Sequence, residues 1–372
     1  MIGLAPAKCR FVVALALAAA RPVHSQSIGD AGARAAPQVH SYTIAAPSST
    51  TIREFSLPLF VLVPVSPALT VDLGTSYARA NVRQTSAGKV VSSDIAGLTD
   101  TQVRATYVFG NDFVVLTGGV NLPTGQSRVT LDQQLAAGLI GSDFLAFPIS
   151  SMGSGLGGTG GVAIAHPFGQ WNVGGGVSIR RTAQYDPFDA GEGPALHYQP
   201  GNEYRARVGA DRTVGAGRAT IGFSYSTFGN DDLAGSIYNT GKRYLSQFSF
   251  DDAAGPGRIT VAVWNLFRGA GTMLDSISIG RENIANAALS YDVPVGGALL
   301  EPNIEGRAWS QSAAATSLLT TIGVRAHLSV GGLTMLPGVG LTAGRVASRD
   351  AEGLNDTASL RGWHATLAVR LR

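Results

Sequence analysis

Histidines, hydroxyls and paired carboxylates are the groups from which a hydrolytic site is built, and a nucleophile among them needs a base beside it and a third group to orient that base. His24, His40, His166, His197, His327 and His364 are scattered, and the sequence contains neither H-x-x-x-H nor G-x-S-x-G. "GLGGTG" (155–160) matches the letters G-x-G-x-x-G. A dinucleotide site needs a strand before those glycines and a helix after them. Neither pattern flanks this stretch, which reads as the Gly-rich start of a strand. Asp231 and Asp232, with Asp350, Glu352 and Asp356, offer oxygens of the kind that hold calcium, without the spacing of a calcium loop. They read as solvated loop, and no metal or cofactor is expected.

Arginine is the residue whose placement is ordered. Arg104, Arg180, Arg205, Arg207, Arg218, Arg307, Arg325 and Arg370 fall on the polar side of segments that alternate apolar and polar residues. Glu203, Asp211, Glu305 and His327 share that side. Such a row either tunes the passage of ions and solutes or braces two walls through opposite charges.

The elements that must carry these residues are strands. "RATIGFSYSTF" sets Ala219, Ile221, Phe223 and Tyr225 against Arg218, Thr220, Gly222 and Ser224, and "LTVDLGTSY", "NEYRARVGADR", "IGVRAHLSV" and "WHATLAVRL" repeat the period of two. Fifteen such segments run from Glu54 to the end, and "VHSYTIAA" (39–46) offers a sixteenth. Connections alternate between short ones, such as 110–112, 214–217 and 253–257, and long ones at about 84–99, 123–157, 183–200, 229–241, 269–280 and 347–359.

Only 14% of the chain is charged while 45% is hydrophobic, against roughly 25% charged in ordinary soluble domains. The second face of the strands is Gly, Ser, Thr and Arg, with Lys almost absent, which suits a lumen better than a solvated sandwich face. The apolar face then meets lipid. Closure leaves no unpaired edge there. The reading is an all-β, antiparallel, transmembrane β-barrel of the bacterial outer membrane, with about 14–16 strands, short periplasmic turns and long extracellular loops.

The first residues carry Lys8 and Arg10, an apolar run from Phe11 to Ala20, and then small residues. This is the pattern of a signal peptide over 1–25, with Gln26 as the mature N-terminus and Ala20 as a competing cleavage site. Residues 26–38 are expected as a disordered lead and 39–372 as the barrel. Removing 1–25 takes Lys8, Arg10 and Arg21 and no acid, so the formal charge of +3 falls to zero. No nucleic-acid footprint is left. Cys9 leaves with the same segment, so the mature chain holds no thiol.

One stretch breaks the alternation. "TLDQQLAAGLIGSDFLAFPISSMG" (130–153) spaces Leu131, Leu135 and Leu139 by four, a short amphipathic helix over 131–140 in the longest loop. With Phe144, Leu145, Phe147 and Met152 it is expected to capture solute at the outer mouth or to fold inward as a constriction.

"GVNLPTGQS" (119–127), with Leu122-Pro123-Thr124-Gly125, resembles the outer-membrane proteins of the meta-pathway of phenol degradation. "PGNEYRARVGADR" (200–212) and "EPNIEGRAW" (301–309) are similar to strand starts of that family, which is itself similar to the long-chain fatty-acid transporters. The resemblance spans roughly Glu54 to the end. It implies a barrel carrying small hydrophobic or aromatic compounds and supplies no catalytic or binding residue. Barrels of that family often end in an aromatic residue, whereas this chain ends Leu371-Arg372.

The expected function is therefore passive passage of small, hydrophobic or aromatic compounds and not catalysis. The expected partners are outer-membrane lipid, a small-molecule solute and the barrel assembly machinery. The alternatives are a structural or adhesive surface barrel without transport and, third, an outer-membrane hydrolase.

Overall fold

The computed structural model describes residues 32–45, 48–109, 113–189, 191, 193, 195–273, 277–312, 314–349 and 355–371. Among these residues sixteen strands form one closed antiparallel barrel. β1 has two segments, Gly32–Ala35 and Gln38–Ala45; β2 is Ser49–Pro64 and β3 Leu69–Ser86; β4 has two segments, Lys89–Leu98 and Thr101–Phe109. β5 (Val114–Leu122), β6 (Gly157–Phe168), β7 (Trp171–Thr182), β8 (Glu203–Val214), β9 (Gly217–Phe228), β10 (Arg243–Ala254) and β11 (Gly257–Arg268) follow. β12 (Glu282–Val295), β13 (Ala298–Gln311), β14 (Ser317–Val330), β15 (Leu333–Arg349) and β16 (Asn355–Leu371) complete the wall.

β1 is the closing strand, because Ala33 lies opposite both Val61 of β2 and Leu371 of β16, and Tyr42 opposite both Ile52 and Gly362. Its break falls at Pro37, which has no N–H to give the ladder. Pairing is carried across by Ala36 N–H to the Pro58 carbonyl at 3.1 Å and by Leu367 N–H to the Pro37 carbonyl at 2.9 Å. This corrects the expected lead over 26–38 in its described part: Gly32–Ala35 is strand, since the edges of β2 and β16 need a partner in lipid. The expected signal peptide (1–25), with Gln26 as mature N-terminus, lies outside the described residues.

The expected long connection at 84–99 is also corrected. β3 and β4 continue through it and meet in a two-residue turn, Ala87-Gly88, with φ of +47° and +77°. Positive φ at both centres is what a hairpin turn matched to strand twist requires. β6 to β11 have twelve residues each, about 40 Å of chain, enough to cross a bilayer at the usual tilt. β3 has eighteen and rises past that level.

On β3 the alternation keeps its period and reverses its polarity. Leu69, Val71, Leu73 and Tyr77 point outward and give way to Arg79, Asn81 and Arg83; Thr70, Asp72, Gly74 and Ser76 point inward and give way to Ala78, Ala80 and Val82. Those last three are fully buried. The cause is the 123–156 loop, which folds into the barrel. The core lies between its helix α1 (Gln134–Ile140) and the inner wall, with Ile52, Ile95, Leu319 and Leu360 on the wall side and Ile140, Phe144 and Phe147 on the loop side.

The outer surface has an apolar band with aromatic groups at both levels. Tyr225, Tyr244 and Phe267 form a run toward the long-loop end, with ring centroids 5.2 and 6.0 Å apart. Toward the short-turn end Arg212 lies over Trp171 at 5.8 Å. Exposed Val208 and Ile221 lie between these levels. A closed barrel with an outward apolar band and two aromatic girdles satisfies its backbone internally and meets lipid with its side chains. The protein is a transmembrane β-barrel of the bacterial outer membrane.

Candidate functional site

The inward loop is pinned at both ends by one carboxylate. Asp100 sits in the break of β4, where one residue's slip turns its side chain inward. Its oxygens accept hydrogen bonds from Gly125 N–H (3.1 Å), Ser154 N–H (2.6 Å) and Asn121 Nδ2 (2.9 Å). The stretch Leu122-Pro123-Thr124-Gly125 makes this turn. Thr124 Oγ1 accepts from Thr101 N–H at 2.8 Å, and a Cβ at Gly125 would lie 2.1 Å from the Met152 carbonyl, so only glycine fits.

Further in, Ser93 Oγ donates to the Asp132 carbonyl and accepts from Ala136 N–H, 3.1 Å away. Glu54 accepts from Ile149 N–H at 3.0 Å, Arg307 donates to the Phe144 carbonyl at 2.8 Å, and Arg268 reaches Asp143 at 2.8 Å. Below this loop a small cavity of about 80 Å³ is lined by His40, Tyr42, Glu305, Arg307 and His364. The two imidazoles stack at 5.2 Å.

These contacts correct the expected capture surface. Phe144, Phe147 and Met152 are buried, Leu135 and Leu139 pack against the same core, and only Leu131 is open, at 82% exposure. The apolar side chains are spent on the inner wall and are not free to meet a solute. The helix also begins later than 131, because Thr130 Oγ1 is bonded to Asp132 in a turn that precedes Gln134.

The register carries the inner face from strand to strand and places all of the expected lining residues on it. Arg104 pairs with Asp72 at 3.0 Å. Arg180 lies opposite Glu203, which is paired with Arg205. Arg207 lies two residues along from Arg205, and Asp211 meets Arg218 at 2.8 Å. On the far wall Glu305 meets Arg307 at 2.6 Å, and Glu301 takes both Arg325 (3.2 Å) and His327 (2.9 Å). Arg370 lies opposite Arg34 near the short-turn end, away from the rest.

Parity also reaches residues the sequence reading left out. Arg243 and Arg268 are inward by the same alternation, and "YLSQF" carries the pattern that places Arg243. Trp264 is inward too, but "ITVAVWNLF" is apolar on both faces, so its orientation had no sequence signal. Asp231, expected as solvated loop, is buried. It accepts from the Tyr198 hydroxyl (2.9 Å) and Gly201 N–H (2.7 Å), and burial beside that carboxylate pushes the Tyr198 hydroxyl pKa up.

On the wall not covered by the loop, three cavities adjoin. One of about 240 Å³ has Arg104, Arg180, Glu203 and Arg205; one of about 710 Å³ has Arg205, Arg207, Arg243 and Leu245; one of about 590 Å³ has Leu245, Leu266 and Trp264. Arg205 is shared by the first two and Leu245 by the last two.

No family model matches the chain, and no curated protein matches it. Among solved structures it is similar to OprB of Pseudomonas putida at low pH, with 8% identity, a TM-score of 0.48 and coverage of 91% of this chain and 92% of that one. It is similar to an anion-selective porin from Comamonas acidovorans at 12% identity and TM-score 0.42, covering 92% and 99%. The COG4313 outer membrane channel from Pseudomonas putida F1 gives 11% identity and TM-score 0.39, covering 94% and 98%. Likeness at this level passes none of those proteins' properties to this chain.

Proposed function

We propose that this barrel is a channel for passive passage of small compounds, hydrophobic or aromatic ones among them, along the wall from β4 to β11. The observation that carries the reading is the run of adjoining cavities on the polar inner face, beside a loop that fills the opposite side. The Leu122–Gly125 stretch and its resemblance to barrels linked with phenol degradation support the same class of solute. Outer-membrane lipid surrounds the apolar band, and the barrel assembly machinery inserts it.

The test is reconstitution of the folded protein in planar bilayers and in liposomes loaded for swelling assays. Discrete conductance steps and swelling by small aromatic solutes are expected. A heat-modifiable, correctly inserted barrel with no conductance and no solute flux would favour a structural or adhesive surface barrel instead. Replacing Arg205 and Arg207 together with glutamine should leave folding intact and lower anion over cation permeability. An unchanged reversal potential would make those arginines braces.

A further inference from the structure

Three guanidinium groups on the open wall have no carboxylate partner among the described residues: Arg180, Arg207 and Arg243. Arg205, between them, is taken by Glu203. Arg243 lies over the Phe228 ring at 5.2 Å, and its buried Nε has no acceptor. Arg243 is partly buried while Arg180 and Arg207 are open to the lumen, and cations left without a carboxylate along one wall favour an anion there.

The register sets an apolar surface against this cationic one. From Arg207 the same row crosses Ser224 to Leu245 and then Leu266. One step toward the short turns, Gln247 lies opposite Trp264. All are inward, and the 710 Å³ cavity that holds Arg205, Arg207 and Arg243 shares Leu245, Gln247 and Leu266 with the cavity that holds Trp264. Unlike the apolar wall beside Ile52 and Val82, this patch is not covered by the loop. A lumen that passes only water and ions has no use for two leucines and a tryptophan beside unpaired arginines.

We propose that this cavity binds small monocarboxylates with an apolar body, the carboxylate on Arg207 and Arg243 and the body on Leu245, Leu266 and Trp264. Ser224, Ser226 and Gln247 supply the remaining hydrogen-bond donors. A polyanion such as phosphate is disfavoured, since it leaves the apolar surface unmatched and lies close to Glu203. As a step in permeation the site rests on the channel reading; as a binding site it does not.

The test separates the two. Binding is read by equilibrium dialysis of benzoate, benzyl alcohol, acetate and inorganic phosphate against the purified full-length barrel in detergent, and conductance is read separately in bilayers. Saturable benzoate binding is expected, with benzyl alcohol weaker by about tenfold or more, the worth of a charge-assisted hydrogen bond, and with phosphate weaker because it has no apolar body to cover the leucines and Trp264. R207Q/R243Q should lose benzoate by about the same factor. W264A should erase the preference for benzoate over acetate, while R53Q, on the outer face, should change nothing. Each variant is first checked for heat-modifiable mobility, and R207Q and R243Q singly stand in if the double variant does not fold. Equal binding of benzoate and benzyl alcohol, or full binding by the folded arginine variants, overturns the site. Benzoate binding without conductance keeps the site and removes the channel; conductance without saturable benzoate binding does the reverse.

Discussion

Single residues do two kinds of work in this wall, and the period of two separates them. Ile221 is exposed on the outer face between the aromatic levels, while Thr220 beside it points inward across from Asp211. Ile221→Arg should cost about 2–4 kcal/mol near the bilayer midplane, and Thr220→Arg far less. Urea unfolding in lipid vesicles measures both, and equal losses would invert the face assignment. Asp100 has a different task, because three donors converge on it from both ends of the loop. Asp100→Ala leaves part-buried N–H groups unpaired, at up to ~1–3 kcal/mol each. Protease cleavage within 123–156 should rise, and unchanged resistance would mean that other contacts hold the loop. At this scale the arginines were legible, because from Glu203 to Asp211 the alternation in "NEYRARVGADR" has only one polar side. Asp100 was not, because its inward turn depends on a slip between two halves of one strand that no local pattern marks.

The loop as an element replaces water over the upper inner wall. The sequence shows its helical spacing and its apolar residues, and both are present in the fold. Their partners are not readable from it, because Ile52, Ala80, Val82 and Ile95 come from three strands whose apolar inner positions look like errors of alternation until the loop is laid on them. Deleting 126–152 uncovers that apolar wall. Conductance should therefore increase while the melting temperature falls. A wider pore with an unchanged melting temperature would show that the wall does not depend on the loop. The outer loops are also joined by Asp186, which bonds Arg128 and, at 2.6 Å, His197. The hydrogen bond from His197, then that from Arg128, holds the Asp186 carboxyl below its usual range. A depressed carboxyl strengthens this link above the ordinary aspartate range and loses it as pH falls through the lowered value. Loop proteolysis on intact vesicles should thus be flat near neutrality and rise only in acid, and D186N should remove that acid step.

Closure is a property of the whole molecule, and one short strand provides it. β1 lies between β2 and β16, so every other neighbouring pair of strands joins through the chain while this junction joins its beginning to its end. Its two halves are short and broken at Pro37, which is why the segment reads as a lead when only its alternation is weighed. An open junction in hydrocarbon leaves two rows of unpaired N–H and C=O groups, each costing several kcal/mol. Removing 32–45 should therefore abolish the heat-modifiable barrel altogether, whereas Pro37→Ala, which restores an N–H, should leave it intact. The same topology fixes which end faces the cell exterior. Ala195 lies among the long connections and Ala216 in the two-residue turn between β8 and β9, and both are exposed. Cys9 is the chain's one cysteine, so in a C9S background a cysteine at either position is a single reporter. An impermeant maleimide on whole cells should label A195C and spare A216C until the outer membrane is opened. Labelling of A216C alone would turn the barrel over and put the loop that fills its lumen on the periplasmic side.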